Sequence, residues 1–212
     1  MTARLPLVMN SGQIEQLQSG DTLEGVSGVG MLNWAPIGGA TWFHVCGAIV
    51  GGFTNAQFTT GNDCIYIPFT VPRSCTVTTM GIGVPVANAS TDFMLGIYAS
   101  SSGRPSSLLA STAKTLVYGT SVMQAAVTST TLTPGVLYYA AAWAALNSIE
   151  VTSVALSQLQ NVLGCIVNGN VVESSACYSQ NLGSAAHVLP SSATPVYPGS
   201  TPTYLPAILI NG

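Results

Sequence analysis

The clearest pattern along the chain is a period of two. From Cys75 to Val84 apolar side chains alternate with threonine hydroxyls, which predicts a half-buried strand with one wet face. Cys64 to Phe69 and Asp92 to Ala99 are more uniformly apolar and also predict strands. Ser100 to Ser107 reads as a turn-rich loop. Further strands are expected at Lys114 to Tyr118, Val122 to Leu132 and Val136 to Trp143, with Thr133-Pro134-Gly135 as the turn between the last two. One segment has helical spacing: Ser153 to Val162 places Leu156 and Leu159 three apart, and Gly164 could terminate it. The stretch from Ser191 to Pro206 is rich in Pro, Ser and Thr, and Leu205 to Ile210 predicts a last apolar strand. About eight strands at this turn spacing predict an all-β fold, an antiparallel jelly-roll-like sandwich over residues 62–212.

Residues 1–61 follow a different rule. Glycines at 12, 20, 25, 28, 30, 38 and 39 break any long element. Yet Leu5, Leu7, Val8, Ile14, Leu17 and Leu23 are too many apolar residues for a solvated linker. An extended N-terminal arm that buries these six side chains on another chain accounts for both facts. A local hairpin packed on its own domain is the alternative.

Composition narrows the possible functions. The 212 residues carry four Lys+Arg and seven Asp+Glu, so 5% are charged, against roughly 25% in an ordinary soluble domain. Polarity comes instead from 23 Ser and 22 Thr. Four basic residues cannot sustain nucleic-acid binding through counterion release. The charged positions of a coiled coil are missing as well. No apolar run reaches the roughly 20 residues of a membrane span, so no membrane partner is expected. A chain this neutral fits one whose surface is covered in an assembly, and a homotrimer is the expected form.

Two stretches resemble structural proteins of tailed bacteriophages. The opening Arg4-Leu-Pro-Leu-Val, followed by Gly12-Gln-Ile-Glu-Gln-Leu-Gln-Ser-Gly-Asp-Thr-Leu23, is similar to N-terminal attachment segments of phage tail-fibre and capsid-associated proteins. From Tyr66 to Trp143 the order of elements resembles a phage β-sandwich module. That module has a strand reading Gly-Ile-Tyr, a loop reading Gly-x-Pro-Ser-Ser-Leu-Leu, and a turn Leu-Thr-Pro-Gly before Tyr-Tyr-Ala. Leu205-Pro-Ala-Ile-Leu-Ile matches the module's last strand. The resemblance implies a virion component assembled in the host cytoplasm. With no fibre shaft between Leu23 and Asn62, it favours a capsid decoration protein that clamps neighbouring major capsid subunits. The alternative is a head- or tail-fibre protein that binds host glycans through the loops at 100–107 and 191–203.

The chemistry-bearing residues are few. His44 and His187 are the two histidines, so nucleophilic catalysis through a Ser-His-Asp arrangement has little to draw on. Asp63, Asp92, Glu150 and Glu173 are the acids available for a glycosidase pair, and their spacing does not single out any two. Gly25 to Gly30 lacks the flanking strand and helix of a phosphate loop. Cys46, Cys64, Cys75, Cys165 and Cys177 form no close ligand pairs and read as small buried side chains, with one disulfide open to a chain that meets an oxidising medium. Trp34, Trp42, Trp143 and the tyrosines could stack on sugars, although core and interface anchoring is the commoner use. No catalytic residue, cofactor or metal is expected.

Overall fold

The computed structural model describes residues 7–10, 13–16, 42–45, 53–57, 62–71, 74–87, 91–117, 121–145, 149–155, 166–168, 171–173, 177–183, 188–196 and 204–211. Among these, every regular element is a β-strand. In chain order they are β1 (Leu7–Asn10), β2 (Gln13–Gln16), β3 (Trp42–His44), β4 (Thr54–Gln57), β5 (Asp63–Phe69) and β6 (Cys75–Val84). Next come β7 (Val86–Ala87), β8 (Thr91–Ser101), β9 (Arg104–Ser111), β10 (Thr115–Val117), β11 (Ser121–Leu132) and β12 (Tyr138–Ala144). The last six are β13 (Ile149–Ala155), β14 (Ile166–Asn168), β15 (Val171–Glu173), β16 (Tyr178–Asn181), β17 (Tyr204–Pro206) and β18 (Ile208–Asn211).

The large sheet runs β10-β8-β12-β5-β16. Along one side of β8, β10 pairs with residues 91–93 and β9 with residues 96–101. The second sheet runs β11-β6-β18-β3. A smaller third sheet runs β17-β13-β4, with β7 also on β13. All pairings are antiparallel, and the chain changes sheet at most of its connections. The fold is therefore the expected all-β antiparallel sandwich. β1 and β2 form a separate hairpin, as do β14 and β15.

Strand β12 shows why the pattern folds this way. Every residue from Tyr138 to Ala144 is buried, with no alternation, because β5 and β8 flank it and both faces are covered. Ala140, Ala142 and Ala144 face the main core between the sheets, with Ile67, Leu95, Met80, Ile82 and Ile208. Tyr139, Ala141 and Trp143 face outward into a second cluster with Cys64, Tyr66, Met94, Tyr98 and Tyr178. Fully burying side chains of this size contributes on the order of 1.5–3 kcal/mol each before ordering costs.

Three expectations need revision. Ser153 to Ala155 is not the start of a helix: it is the end of β13, held between Thr54 on β4 and Leu205 and Pro206 on β17. Pairing of Ser153 on both sides and β-branched Val151 and Val154, buried in the core, hold residues 153–155 in the strand. The remainder of that segment lies outside the described residues. Ser100 to Ser107 is not a loop either. β8 and β9 meet at a two-residue turn, where Ser102 and Gly103 both have positive φ, 52° and 73°, as a hairpin turn that follows strand twist requires. Finally, β3 and β4 lie upstream of position 62 yet pair with β18 and β13, so the sheets draw strands from residues 42–57.

Candidate functional site

The predicted attachment residues fall partly within the described structure. Leu5, Leu17 and Leu23 lie outside it. In the β1–β2 hairpin, Leu7 pairs with Gln16, Val8 with Glu15 and Met9 with Ile14. This register puts positions 7, 9 and 14 in one row and positions 8 and 15 in the other. Val8 therefore does not share a row with Leu7 and Ile14, whereas Met9, not singled out from the sequence, does.

The acids do not assemble into a pair. Asp63 and Asp92 lie on β5 and β8, on either side of β12, so their backbones are two strand spacings apart, roughly 9–10 Å. However, the pleat that turns Cys64 and Met94 outward sends Asp63 to one face and Asp92 to the other. Each has a local partner: Asn181 Nδ2 donates to Asp63 Oδ1 at 2.6 Å, and Lys114 Nζ lies 3.0 Å from Asp92 Oδ2. Glu150 is half-buried on β13, and Glu173 lies on β15. Among the described residues no three acids, histidines or cysteines come together as a metal site would need. His44 lies on β3 opposite Leu209, and His187 is outside the described residues.

Two surfaces stand out. The first is the exposed face of β6 and β11. Thr76, Thr78, Gln124, Ala126, Thr128 and Thr131 lie on it, with Val122 more than half exposed at its end. No charged residue occurs in either strand. Thr76 and Thr131 hydrogen-bond to each other through their hydroxyls at 3.0 Å. The alternation read from the sequence accounts for the Thr76 and Thr78 end of this face; beyond it the phase shifts, with Val77 and Met80 both buried and Thr79 half-buried between. A bulge between Ala126 and Thr130 breaks its regularity.

The second is the outer face of the large sheet, where Tyr66, Tyr98, Tyr139, Tyr178 and Trp143 form a buried layer. Tyr66 and Tyr98 meet edge to face with centroids 5.1 Å apart, as do Tyr139 and Tyr178 at 5.9 Å. The polar atoms of these rings bond inward. Trp143 Nε1 donates to the Asn62 carbonyl at 3.1 Å, and the hydroxyls of Tyr139 and Tyr178 both donate to the Gly103 carbonyl at the hairpin tip. Burial pushes the Cys64 thiol up to about 12 and holds the Tyr66 and Tyr98 hydroxyls well above their ordinary range. Cys177, on the opposite face, is raised by burial to about 11. Such groups stay protonated at neutral pH and supply neither nucleophile nor base. The five rings are buried, so they pack the protein and do not present a sugar-stacking platform. Trp34 is outside the described residues, and Trp42 lies on β3 opposite Asn211.

A strap, residues 188–196, closes this layer. It bridges β9 through Ser107 and Ser192, and β16 through Ser179 and Val196. Tyr98 donates its hydroxyl to the Pro190 carbonyl at 2.8 Å. Gln180 Oε1 accepts from Tyr66 and from the Thr194 backbone N–H, both at 2.9 Å. Leu189 is 4% exposed and packs over Gly96, where an added Cβ would stand 2.6 Å from Leu189 Cδ1. Sequence reading missed Gly96, Gln180 and Leu189. The available signal was Leu189-Pro190 and Thr194-Pro195, because proline keeps the residue before it extended. No protein-family model matches the sequence, and no curated protein matches it.

Proposed function

We propose that this chain is a non-enzymatic structural protein of a tailed-phage virion, a capsid decoration protein that clamps neighbouring major capsid subunits. The uncharged exposed face of β6 and β11 carries this reading. Docking such a face against another protein surface strips water from hydroxyls and small apolar groups, with no charge to desolvate. The elements that resemble the phage module support it: Gly96-Ile97-Tyr98 lies within β8, Pro105 to Leu109 in β9, and Leu132 to Gly135 just before β12. The N-terminal segment, with Leu5, Leu7, Val8, Ile14, Leu17 and Leu23, supplies the attachment. Its docking is apolar and tolerates high salt. The protein associates with itself as a homotrimer.

Copy number in purified virions, read from a stained gel, tests the reading. Hundreds of copies per particle are expected. A dozen or so would overturn it in favour of a glycan-binding fibre. Deleting residues 1–25 should leave a folded sandwich that no longer binds particles, and light scattering of the purified chain reports the trimer.

A further inference from the structure

We infer that the β8–β9 hairpin tip and the strap together form a binding surface for an acidic sugar, a carboxylate-bearing ring of the uronic acid class. The two segments are far apart in sequence yet lie side by side. Ser107 bridges Ser192, Leu108 N–H donates to the Ser191 carbonyl at 3.0 Å, and Ala193 N–H donates to the Ser106 carbonyl at 2.7 Å. Beneath them is the tyrosine layer, and its hydroxyls fix the backbone of both. Tyr139 and Tyr178 donate to the Gly103 carbonyl, so the tip folds over the layer. Tyr98 holds the Pro190 carbonyl, and Tyr66 acts through Gln180, which accepts from the Thr194 N–H. Phenylalanines would bury the same area with no polar atom to satisfy. Four hydroxyls that each tie down the chain above them give that chain a single geometry instead. At the tip, Ser102 is held at a φ of 52°, a left-handed conformation that a serine seldom adopts.

This frame presents hydroxyl groups and one cation. Ser102, Ser107, Ser191, Ser192 and Thr194 are exposed, as is Arg104. Residues 100–107 and 188–196 contain no carboxylate. Serine and threonine hydroxyls both donate and accept, as the hydroxyls of a sugar do. The arginine fork matches a carboxylate through two parallel bonds. Arg104 and Ser107 are three strand residues apart, about 10 Å, with Ser192 across the bridge, which suits a short oligosaccharide better than a single ring. A protein partner fits less well. The centre of a protein interface is anchored by large apolar or aromatic side chains, and the exposed apolar residues here, Leu109, Val188 and Val196, lie at the margins. The surface lies across the main core from the uncharged face of β6 and β11, so docking through that face leaves it facing outward.

Isothermal titration of the purified full chain with an oligogalacturonate at low salt tests the inference. A neutral galactose oligomer of the same length and an oligoglutamate of the same charge are the comparisons. The acidic sugar should bind more than about tenfold tighter than either, because it alone offers both carboxylates and hydroxyls. Arg104→Met should weaken that binding by about tenfold or more, and Arg104→Lys, which keeps the charge but not the fork, should recover part of it. Arg104 is exposed, so both variants should fold, as far-ultraviolet circular dichroism checks. The inference is overturned by no binding of oligogalacturonate, by equally tight binding of oligoglutamate, or by unchanged affinity in the folded Arg104→Met chain.

Discussion

Replacing Gly96 with alanine adds one methyl group where the strap crosses β8. The new Cβ would lie 2.6 Å from Leu189 Cδ1, 3.1 Å from the Ala110 carbonyl oxygen and 3.3 Å from Leu108 Cδ1. The Ala110 carbonyl belongs to β9, which is hydrogen-bonded to β8, so it has little room to retreat. Relief must come from Leu189. If the leucine stays, overpacking costs about 1–3 kcal/mol. If it leaves, its burial is lost, about 1.5–3 kcal/mol. Removing a flexible glycine from a strand returns roughly 0.5–1 kcal/mol. The net effect is a loss of about 1–2 kcal/mol. With a urea slope of about 1–3 kcal/mol/M, the midpoint should fall by roughly 0.5–1 M. Urea denaturation followed by tryptophan fluorescence measures this, and a double-mutant cycle with Leu189→Ala isolates the cause. Once the leucine is gone, most of the penalty of Gly96→Ala should disappear, giving a coupling of about 1 kcal/mol or more. A Gly96→Ala midpoint equal to or above wild type, or a penalty unchanged without Leu189, would refute the proposed packing.

Three other predictions concern the layer and its surroundings. Cys64 and Cys177, raised by burial to about 12 and 11, should resist iodoacetamide in the native chain at pH 8 and react in denaturant, as read by peptide mass spectrometry. Tyr66 and Tyr98 hold their protons more tightly when folded, so their contribution to stability is intact below the ordinary tyrosine value near 10 and declines as pH rises above it, because the unfolded chain releases those protons first. Absorbance at about 295 nm should show these two tyrosines ionising only as the fold is lost. Lys114→Met breaks the partly exposed pair with Asp92 and should change the melting midpoint little, since such pairs contribute about 1 kcal/mol or less; a large loss would reveal a structural role for the pair.

Much of the fold was legible in the residues. The alternation in Cys75 to Val84, the continuous apolar run around Tyr138 to Trp143 and the Thr-Pro-Gly turn all correspond to elements in the structure. The misreadings have two origins. A Ser-rich stretch at 100–107 looks like a loop to local propensity, but it is a hairpin tip, with Ser100 and Ser101 of β8 paired to Pro105 and Arg104 of β9 across a two-residue turn. Ser153 to Ala155 is instead decided by neighbours far away in sequence. The strap was illegible for a third reason. Only Leu189 among its side chains is fully buried, and most of its hydrogen bonds run through backbone groups that every sequence possesses. Its two X-Pro steps mark it as extended, but nothing local joins positions 96 and 189.

Strand β18 has a consequence for how the protein is made. It lies between β6 and β3, joining residues 208–211 to residues 79–82 on one side and 42–44 on the other. β18 is synthesised after every other described strand, so the second sheet cannot close until residues 208–211 have emerged. Until then β6 has an open edge and β3 lacks its described partner, and an unpaired apolar edge invites pairing with another nascent chain. Contacts this distant in sequence also slow the final step. Removing residues 208–211 would leave the sequence of every upstream strand intact yet take away the strand that joins β6 to β3, which makes this one short segment a checkpoint for the second sheet.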